Sequence, residues 1–279
     1  MTGEPWPRQP TMLDFPSWGP TPDDSLRPIS CGHAAIDEHT GGGVLPGDVW
    51  CIVGPRGIGT TLIVSRIAAS AALAGRQVLL ANEHLSYREL RRRVRVTTSP
   101  DQGAGMLGER PDEAEANTVG VDGLPLTLAP FLPATESNPQ TGETVWWSNL
   151  SDYDLVVWDS PWDGKNLGAL RDSDGREAWA WRRAARAWRT PFIITARLPQ
   201  LAQSYGDVLT AWEAHPRRPE VMEVCDVVVV LTGADPLHEV QANVVGNRRG
   251  GTPAVRFLRT GARMSPISDS GLWYSGPPQ

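Results

Sequence analysis

The sequence predicts an α/β fold with a mainly parallel, twisted sheet and helices on both faces. Short apolar runs alternate with segments of helical periodicity, and several runs are apolar throughout, as strands buried on both faces must be. Of the 279 residues, 40% are hydrophobic and 21% are charged. That is enough apolar mass for one core of roughly 200–250 residues, and it excludes collagen-like, coiled-coil and fully disordered chains.

Composition also bounds the location and the partners of the chain. No apolar run reaches the ~18–20 residues that a membrane span needs, and the N-terminus lacks the pattern of a signal peptide, so we expect a cytoplasmic protein with no membrane partner. Three widely spaced cysteines, Cys31, Cys51 and Cys225, suggest neither a disulfide framework nor a zinc site. The net charge of −6 argues against wholesale coating of nucleic acid but leaves room for a local basic channel.

The first half of the core alternates strands and helices. Val49 to Val53 is a short apolar run that ends in glycines and predicts a buried strand. The Ala- and Ile-rich segment Thr61 to Leu73 predicts a helix, which Gly75 closes. A second strand, Val78 to Ala81, is followed by an arginine-rich helix from Tyr87 to Val96.

The second half repeats this alternation and then changes. Leu155 to Trp158 predicts a strand that ends in Asp159, and Arg176 to Arg189 predicts an amphipathic helix that Pro191 ends. The remaining predicted strands are Phe192 to Thr195, Val227 to Leu231, Val240 to Val245 and Ala254 to Leu258. Because no long helices separate the later strands, we expect that edge of the sheet to be antiparallel.

Three segments have little core-forming power. The proline-rich residues 1–28 predict an extended or disordered tail, and residues 265–279, rich in Gly, Pro and Ser, predict a flexible C-terminal tail. Between them lies one predicted domain, 29–264. Residues 97–145 form an irregular insertion in it, in which Leu124 to Leu128 predicts a short strand.

A glycine-rich segment between the first strand and the first helix predicts a phosphate-binding loop. Glycines let backbone N–H groups turn inward around phosphates, and the helix N-terminus adds partial positive charge. The full pattern is G-x-x-x-x-G-K-[ST], but Thr60 stands at the lysine position, and Thr61 keeps the hydroxyl that binds magnesium. The candidate contacts to phosphates are Gly54, Arg56, Gly57, Gly59, Thr60 and Thr61.

Asp159 strengthens this interpretation, because a carboxylate at the end of a second buried strand is placed to hold Mg²⁺ or its water. The candidate magnesium ligands are therefore Thr61 and Asp159, and the candidate cofactors are ATP and Mg²⁺. A generic glycine turn and a helix-capping or turn aspartate would have the same letters, and this alternative stays open.

Taken in order, these segments resemble the ATPase domain of DnaB-type replicative DNA helicases, within the RecA-like P-loop superfamily. Gly32 to Gly42, GHAAIDEHTGG, is similar to the motif G-F-x-x-L-D-x-x-T-G-G of that family. The resemblance covers about residues 30–263, and its other segments are Leu45 to Asp48, the glycine loop, Gln77 to Leu90, Asp159, Thr190 to Gln200, Cys225 to Leu231, Asn247 to Gly250 and Ala254 to Phe257. The separate N-terminal helical domain of the family has no counterpart here.

The resemblance implies a RecA-like fold, a nucleotide-binding protein that acts on DNA in replication or recombination, and assembly into a homo-oligomeric ring or filament. The catalytic glutamate of the family falls on His84, with Glu83 one place earlier, and its sensor glutamine falls on Arg197. Arg248 keeps the arginine-finger position, although Gly246 replaces the lysine of that pair. Without the P-loop lysine we expect hydrolysis to be weak or lost, unless Arg56 or Arg197 supplies the missing charge.

In that family, single-stranded DNA passes along loops that follow the strands. The corresponding loops here are roughly 161–175 and 198–219, and their candidate DNA contacts are Lys165, Arg171, Arg217 and Arg218. Solvated loops would have the same composition.

Two other functions stay open at this point. The chain is alternatively a catalytically inactive RecA-like scaffold that regulates itself or an active paralogue. A third possibility is a signalling or repair ATPase of the same superfamily, similar to KaiC or RadA.

Overall fold

In the computed structural model, the described residues are 27–82, 84–98, 123–129, 136–137, 144–145, 148–162, 176–198, 205–214, 218–235, 239–252, 254–260 and 263–266. Outside them lie nearly all of the predicted N-terminal tail, most of the insertion at 97–145 and the predicted C-terminal tail from residue 267. The predicted site residues Glu83, Lys165, Arg171 and Arg217 also lie outside them.

Nine described strands form one sheet whose larger part is parallel. The parallel strands are β1 (Val49–Pro55), β2 (Val78–Asn82), β3 (Leu126–Ala129), β6 (Leu155–Trp162), β7 (Phe192–Leu198) and β8 (Val227–Asp235). Their order is β8-β1-β7-β6-β2-β3, so β1 is central. The predicted strands at these positions are present, and most extend one to four residues further than predicted.

The other edge of the sheet is antiparallel, as expected from the missing helices. It consists of β9 (Glu239–Asn247), β10 (Ala254–Thr260) and β11 (Arg263–Pro266), which follow β8 outward in that order. The last of these strands begins in the predicted domain and runs into the first two residues of the predicted C-terminal tail. A separate two-stranded ribbon joins β4 (Glu136–Ser137) to β5 (Thr144–Val145) within the predicted insertion.

Helices cover both faces of the sheet. The helices are α1 (Ala34–Thr40), α2 (Thr60–Leu73), α3 (Tyr87–Thr98), α4 (Arg176–Trp188), α5 (Tyr205–Glu213) and α6 (Arg218–Val224), with a 3₁₀ turn at Ser148–Asp152. The first three pack on one face through buried side chains such as Ile36, Ile67 and Leu90. The last three pack on the other face, where Trp181 and Trp212 are buried. This arrangement confirms the predicted α/β fold.

Side-chain periodicity explains which face each helix covers. In β6 the buried side chains alternate, so that Val157 lies in the cluster under α2, and Trp158 lies in the cluster under α4. The ring of Trp158 meets that of Trp181 edge-on, with centroids 5.4 Å apart. The amphipathic pattern of α4 was therefore a correct signal for burial on one side.

The N-terminal edge of the sheet is fixed by a buried carboxylate, Asp226. Its Oδ2 accepts the N–H of Val49 at 3.1 Å, and its backbone N–H donates to the carbonyl of Val49 at 2.7 Å. Its Oδ1 lies 3.4 Å from Arg182, 3.9 Å from Arg186 and 3.6 Å from Arg248. One carboxylate thus joins the starts of β1 and β8 to α4 and to the β9–β10 turn.

Arg248 and Arg249 also hold the β9–β10 turn against its own chain. Arg248 donates to the carbonyl of Cys225 at 3.1 Å and to the carbonyl of Glu223. Arg249 pairs with the buried carboxylate of Asp48. Cationic side chains at the last carbonyls of a helix are favourable, so Arg248 stabilises the C-terminus of α6.

Near α1, His33 lies half-buried beside a cavity of about 30 Å³ that Cys31, Trp50 and Arg66 also line. Burial lowers the pKa of His33 to about 4, and the charge of Arg66 adds to that effect. A cavity of this size has room for only one or two water molecules.

This shift predicts a stability that falls in mild acid. The unfolded chain binds the His33 proton near pH 6.5 and the folded chain only near pH 4, so unfolding takes up a proton between these values. The free energy of unfolding should therefore fall, relative to a His33→Gln variant, by at most about 1.4 kcal/mol per pH unit from pH 6.5 down to pH 4.

Urea denaturation of both chains at pH 7.5, 6 and 5 checks this prediction. Burial raises the pKa of Asp37, which has the opposite effect on the pH dependence, but it acts in both chains and cancels in the difference. Parallel stability profiles for the wild type and His33→Gln would contradict the assignment to His33.

Candidate functional site

The glycine loop joins the end of β1 to the start of α2, as predicted. Gly57 and Gly59 have φ of +85° and +112°, a region that residues with a Cβ adopt at a cost. Between them the chain closes a turn in which the N–H of Ile58 donates to the carbonyl of Pro55 at 3.2 Å. Glycine at these two positions therefore has a conformational reason.

The first turn of α2 is built to accept an anion. Gly59 is its N-cap, no side chain of the described residues caps it, and the first turn contains no acidic residue. The carbonyl of Gly59 accepts the N–H groups of Leu62 and Ile63, and the N–H groups of Thr60 and Thr61 lie at the open helix start. Such a helix end attracts phosphate and carboxylate groups.

The base of the loop is packed tightly. A Cβ added at Gly54 would lie 2.7 Å from Cγ2 of Ile58 and 3.3 Å from Cγ2 of Thr60. Thr60, which occupies the lysine position, is only 8% exposed, so its side chain packs against the end of β1. Arg56 lies exposed at the tip of the loop, and Thr61 is half-buried in the first turn of α2.

Asp159 lies on the same face of the sheet as α2. It follows Val157 by two residues on β6, and Val157 belongs to the cluster that packs under α2. Its carboxylate is 1% exposed and has two short partners: Asn82 Nδ2 donates to Oδ2 and Thr195 Oγ1 donates to Oδ1, each at 2.6 Å.

Asn82 and Thr195 are site residues that the sequence analysis missed. Both are fully buried, at the end of β2 and in the middle of β7, on the two strands that flank β6. The side-chain oxygen of Asn82 accepts the N–H groups of His84 at 2.9 Å and Leu85 at 2.7 Å. A polar residue inside an otherwise apolar strand, next to the strand that carries Asp159, was the available signal.

The residues predicted to act in hydrolysis lie at both ends of the sheet. Arg197 pairs in register with Gly54, on the face that carries Thr195, and is half-buried beside the loop. His84 is exposed in the turn after β2. Arg248 lies at the opposite edge, beyond the start of β1, which is seven residues and thus roughly 20 Å long. Arg248 therefore cannot contact the loop of its own chain.

Of the four candidate DNA contacts, the described residues include only Arg218, which begins α6 and is half-buried. The two predicted loops are shorter than expected. β6 continues to Trp162 through an irregular register, and α5 occupies Tyr205–Glu213 inside the second loop.

Two searches of the described residues bear on other kinds of site. No group of three or more His, Cys, Asp or Glu side chains in that part of the chain is arranged to hold a metal ion. None of its helices has the length and apolarity required to cross a bilayer. The three cysteines are buried free thiols, and burial raises the pKa of Cys31 and Cys51 well above the usual value.

No protein-family model matches the chain, and no curated protein is significantly similar to it in sequence. Solved structures do match its fold. One is the RadB recombinase, with a TM-score of 0.53 and 19% identity over 86% of this chain and all of that one. Another is the ATPase domain of a DnaB-like protein, with a TM-score of 0.59 and 11% identity over 87% of this chain and 92% of that one. At these identities the likeness shows the fold alone, and that fold is the RecA-like P-loop domain.

Proposed function

We propose that the chain binds ATP together with Mg²⁺ at the glycine loop and acts on DNA as a DnaB-helicase-like protein in replication or recombination. The observation that carries this proposal is the open N-terminus of α2, which stands behind two glycines with positive φ, on the same face as the buried carboxylate of Asp159. Packing alone gives no reason for this combination. The solved structures of similar fold, a recombinase and an ATPase domain, support the same class.

In this proposal the backbone of the loop contacts the phosphates, Thr61 and Asp159 hold the cation, and Glu83 or His84 orients the attacking water. Mg²⁺, when bound, neutralises phosphate charge and fixes the geometry of the phosphates. Binding survives the loss of the P-loop lysine because the amides and the hydroxyl of Thr61 do not depend on it. Hydrolysis is slow because Thr60 brings no positive charge to the developing transition state.

We further propose that the chain works as a homo-oligomeric ring or filament on single-stranded DNA. Arg248 lies roughly 20 Å from the loop of its own chain, so any contact with a γ-phosphate has to be made in a neighbouring subunit. Arg248 must then leave the carbonyls of Glu223 and Cys225, which it now contacts. Lys165, Arg171, Arg217 and Arg218 are the proposed DNA contacts.

A second candidate function is a RecA-like scaffold that has lost catalysis and regulates an active paralogue. Two observations favour it: Thr60 packs against Gly54 in place of a lysine, and Arg248 is engaged by its own chain. Both candidates share the fold and differ in nucleotide binding and turnover.

Replacement of Gly57 by Asp should abolish ATP binding by placing a carboxylate beside the phosphates. Gly75→Asp is a matched control, because both glycines have φ above +80° and a Cβ added at either one meets no atom within 4 Å. Gly75 follows α2 at its far end, so the two variants share the backbone cost but not the phosphate contact.

Calorimetric titration with ATP and Mg²⁺ measures the difference. We expect the wild type and Gly75→Asp to bind and Gly57→Asp to lose at least 100-fold in affinity, about 2.7 kcal/mol. A wild type that binds no ATP at millimolar concentration would favour the bare scaffold.

Restoration of the lysine by Thr60→Lys should raise ATP hydrolysis by at least tenfold. A positioned ammonium stabilises charge on the β- and γ-phosphates in the transition state, where each tenfold in rate corresponds to about 1.4 kcal/mol. Steady-state phosphate release measures the change, with thermal unfolding as the control for folding. A folded Thr60→Lys variant with no added turnover would count against the loop as the catalytic site.

Loss of Arg217 and Arg218 should reduce the salt dependence of single-stranded DNA binding. Each phosphate contact removed lowers the slope of log affinity against log salt by about 0.7, so a double alanine variant should lose about 1.4. Fluorescence anisotropy with labelled oligonucleotides between about 50 and 300 mM salt measures it. The adjacent arginines Arg92 and Arg93 on α3 offer a matched double-alanine control, and an equal loss in both variants would argue against a specific contact.

A further inference from the structure

The carboxylate of Asp159 is held by two side chains from two different strands. Asn82 on β2 and Thr195 on β7 donate to its two oxygens at 2.6 Å each, and all three residues are at most 1% exposed. Each carboxylate oxygen has a second lone pair, so both can still accept from water or bind a cation. The two donors therefore fix the plane of the carboxylate without exhausting its capacity.

The orientation of Asn82 follows from its other contacts. Its Oδ1 accepts two backbone N–H groups, from His84 at 2.9 Å and from Leu85 at 2.7 Å. Because an N–H₂ group could accept neither, Nδ2 must face Asp159. Asn82 thus connects the carboxylate directly to the turn between β2 and α3, the turn that carries the proposed water-orienting residues.

Burial makes this arrangement costly to build for packing alone. A carboxylate taken out of water needs charge-assisted hydrogen bonds, and an apolar residue of similar size would fill the same place without that requirement. The three polar side chains lie on the α2 face, on strands close to β1, which leads into the glycine loop. Their location favours a role at the nucleotide site.

We propose that Asn82 and Thr195 are positioning residues that hold Asp159 toward the cation of bound Mg·ATP, and that Asn82 also couples this carboxylate to the turn at residues 83–85. The inference rests on the proposed ATP binding. Neither residue contacts the phosphates, so their loss lowers the contribution of Mg²⁺ to ATP affinity and leaves ATP binding without Mg²⁺ unchanged.

The test compares two site variants, each with its own control. Thr195→Val removes one hydroxyl donor to Asp159, and Thr190→Val removes a similarly buried hydroxyl that donates to the carbonyl of Tyr153 at 3.1 Å, before the start of β7. Asn82→Ala removes the coupling amide, and Asn243→Ala removes a buried amide on β9, five strands from β2.

Calorimetry of the full-length chain with ATP, in EDTA and in excess Mg²⁺, yields the Mg²⁺ enhancement, the ratio of the two dissociation constants. We expect Thr195→Val and Asn82→Ala to lower this ratio at least tenfold, with affinity in EDTA unchanged, and both controls to keep the wild-type ratio. Hydrogen exchange at the amides of His84 and Leu85 should accelerate in Asn82→Ala and not in Thr195→Val.

Several outcomes would overturn the inference. A wild-type ratio in Thr195→Val does so even where Asn82→Ala does not fold, and an equal fall in a control and its partner assigns the effect to general destabilisation. A wild type that binds ATP without any Mg²⁺ enhancement overturns the positioning role but leaves ATP binding standing. A wild type that binds no ATP overturns both proposals.

Discussion

The carboxylate of Asp226 fixes the base of the sheet, and the position of the glycine loop depends on it. Asp226 holds the first residue of β1 through both its backbone and its side chain, and three guanidinium groups surround its outer oxygen. Because β1 is the central strand and is buried on both faces, its register decides where the loop leaves the sheet. Removal of one partner from such a buried group leaves an uncompensated charge, which is strongly destabilising.

The two edges of the parallel sheet carry different chemistry, and this division limits what one subunit can do alone. Backbone amides and a buried carboxylate lie at the carboxyl ends of the strands, as is usual for ligand sites in open α/β sheets. Arginines lie at the other edge, where Arg182 and Arg248 both donate to carbonyls at the end of α6. In the single chain these cations stabilise the fold, so a catalytic role for Arg248 requires a neighbouring subunit to compete with the helix end.

Much of the fold could be predicted from the sequence because its strands are apolar throughout and its helices are amphipathic. The glycine loop, Asp159 and the antiparallel edge were located from local patterns and strand spacing. The hydrogen bonds of Asp159 could not be predicted in the same way, since they join residues 77 and 36 positions apart through the strand order β7-β6-β2. Strand order is a property of the assembled sheet, and no local pattern near Asn82 or Thr195 encodes it. The same reason applies to Arg248, whose contacts with α6 depend on how β9 returns beside β8.

Loss of the loop lysine changes which groups must supply positive charge, and the described part of the chain contains few of them nearby. Arg56 is exposed at the loop tip and Arg197 lies beside Gly54, while the backbone amides supply only partial charges. A bound divalent cation would then be the largest positive charge at the phosphates, and its position would depend on one carboxylate. An error in the orientation of that carboxylate would have no nearby ammonium to offset it. This is the physical reason why two buried donors on neighbouring strands matter more here than in a loop that keeps its lysine.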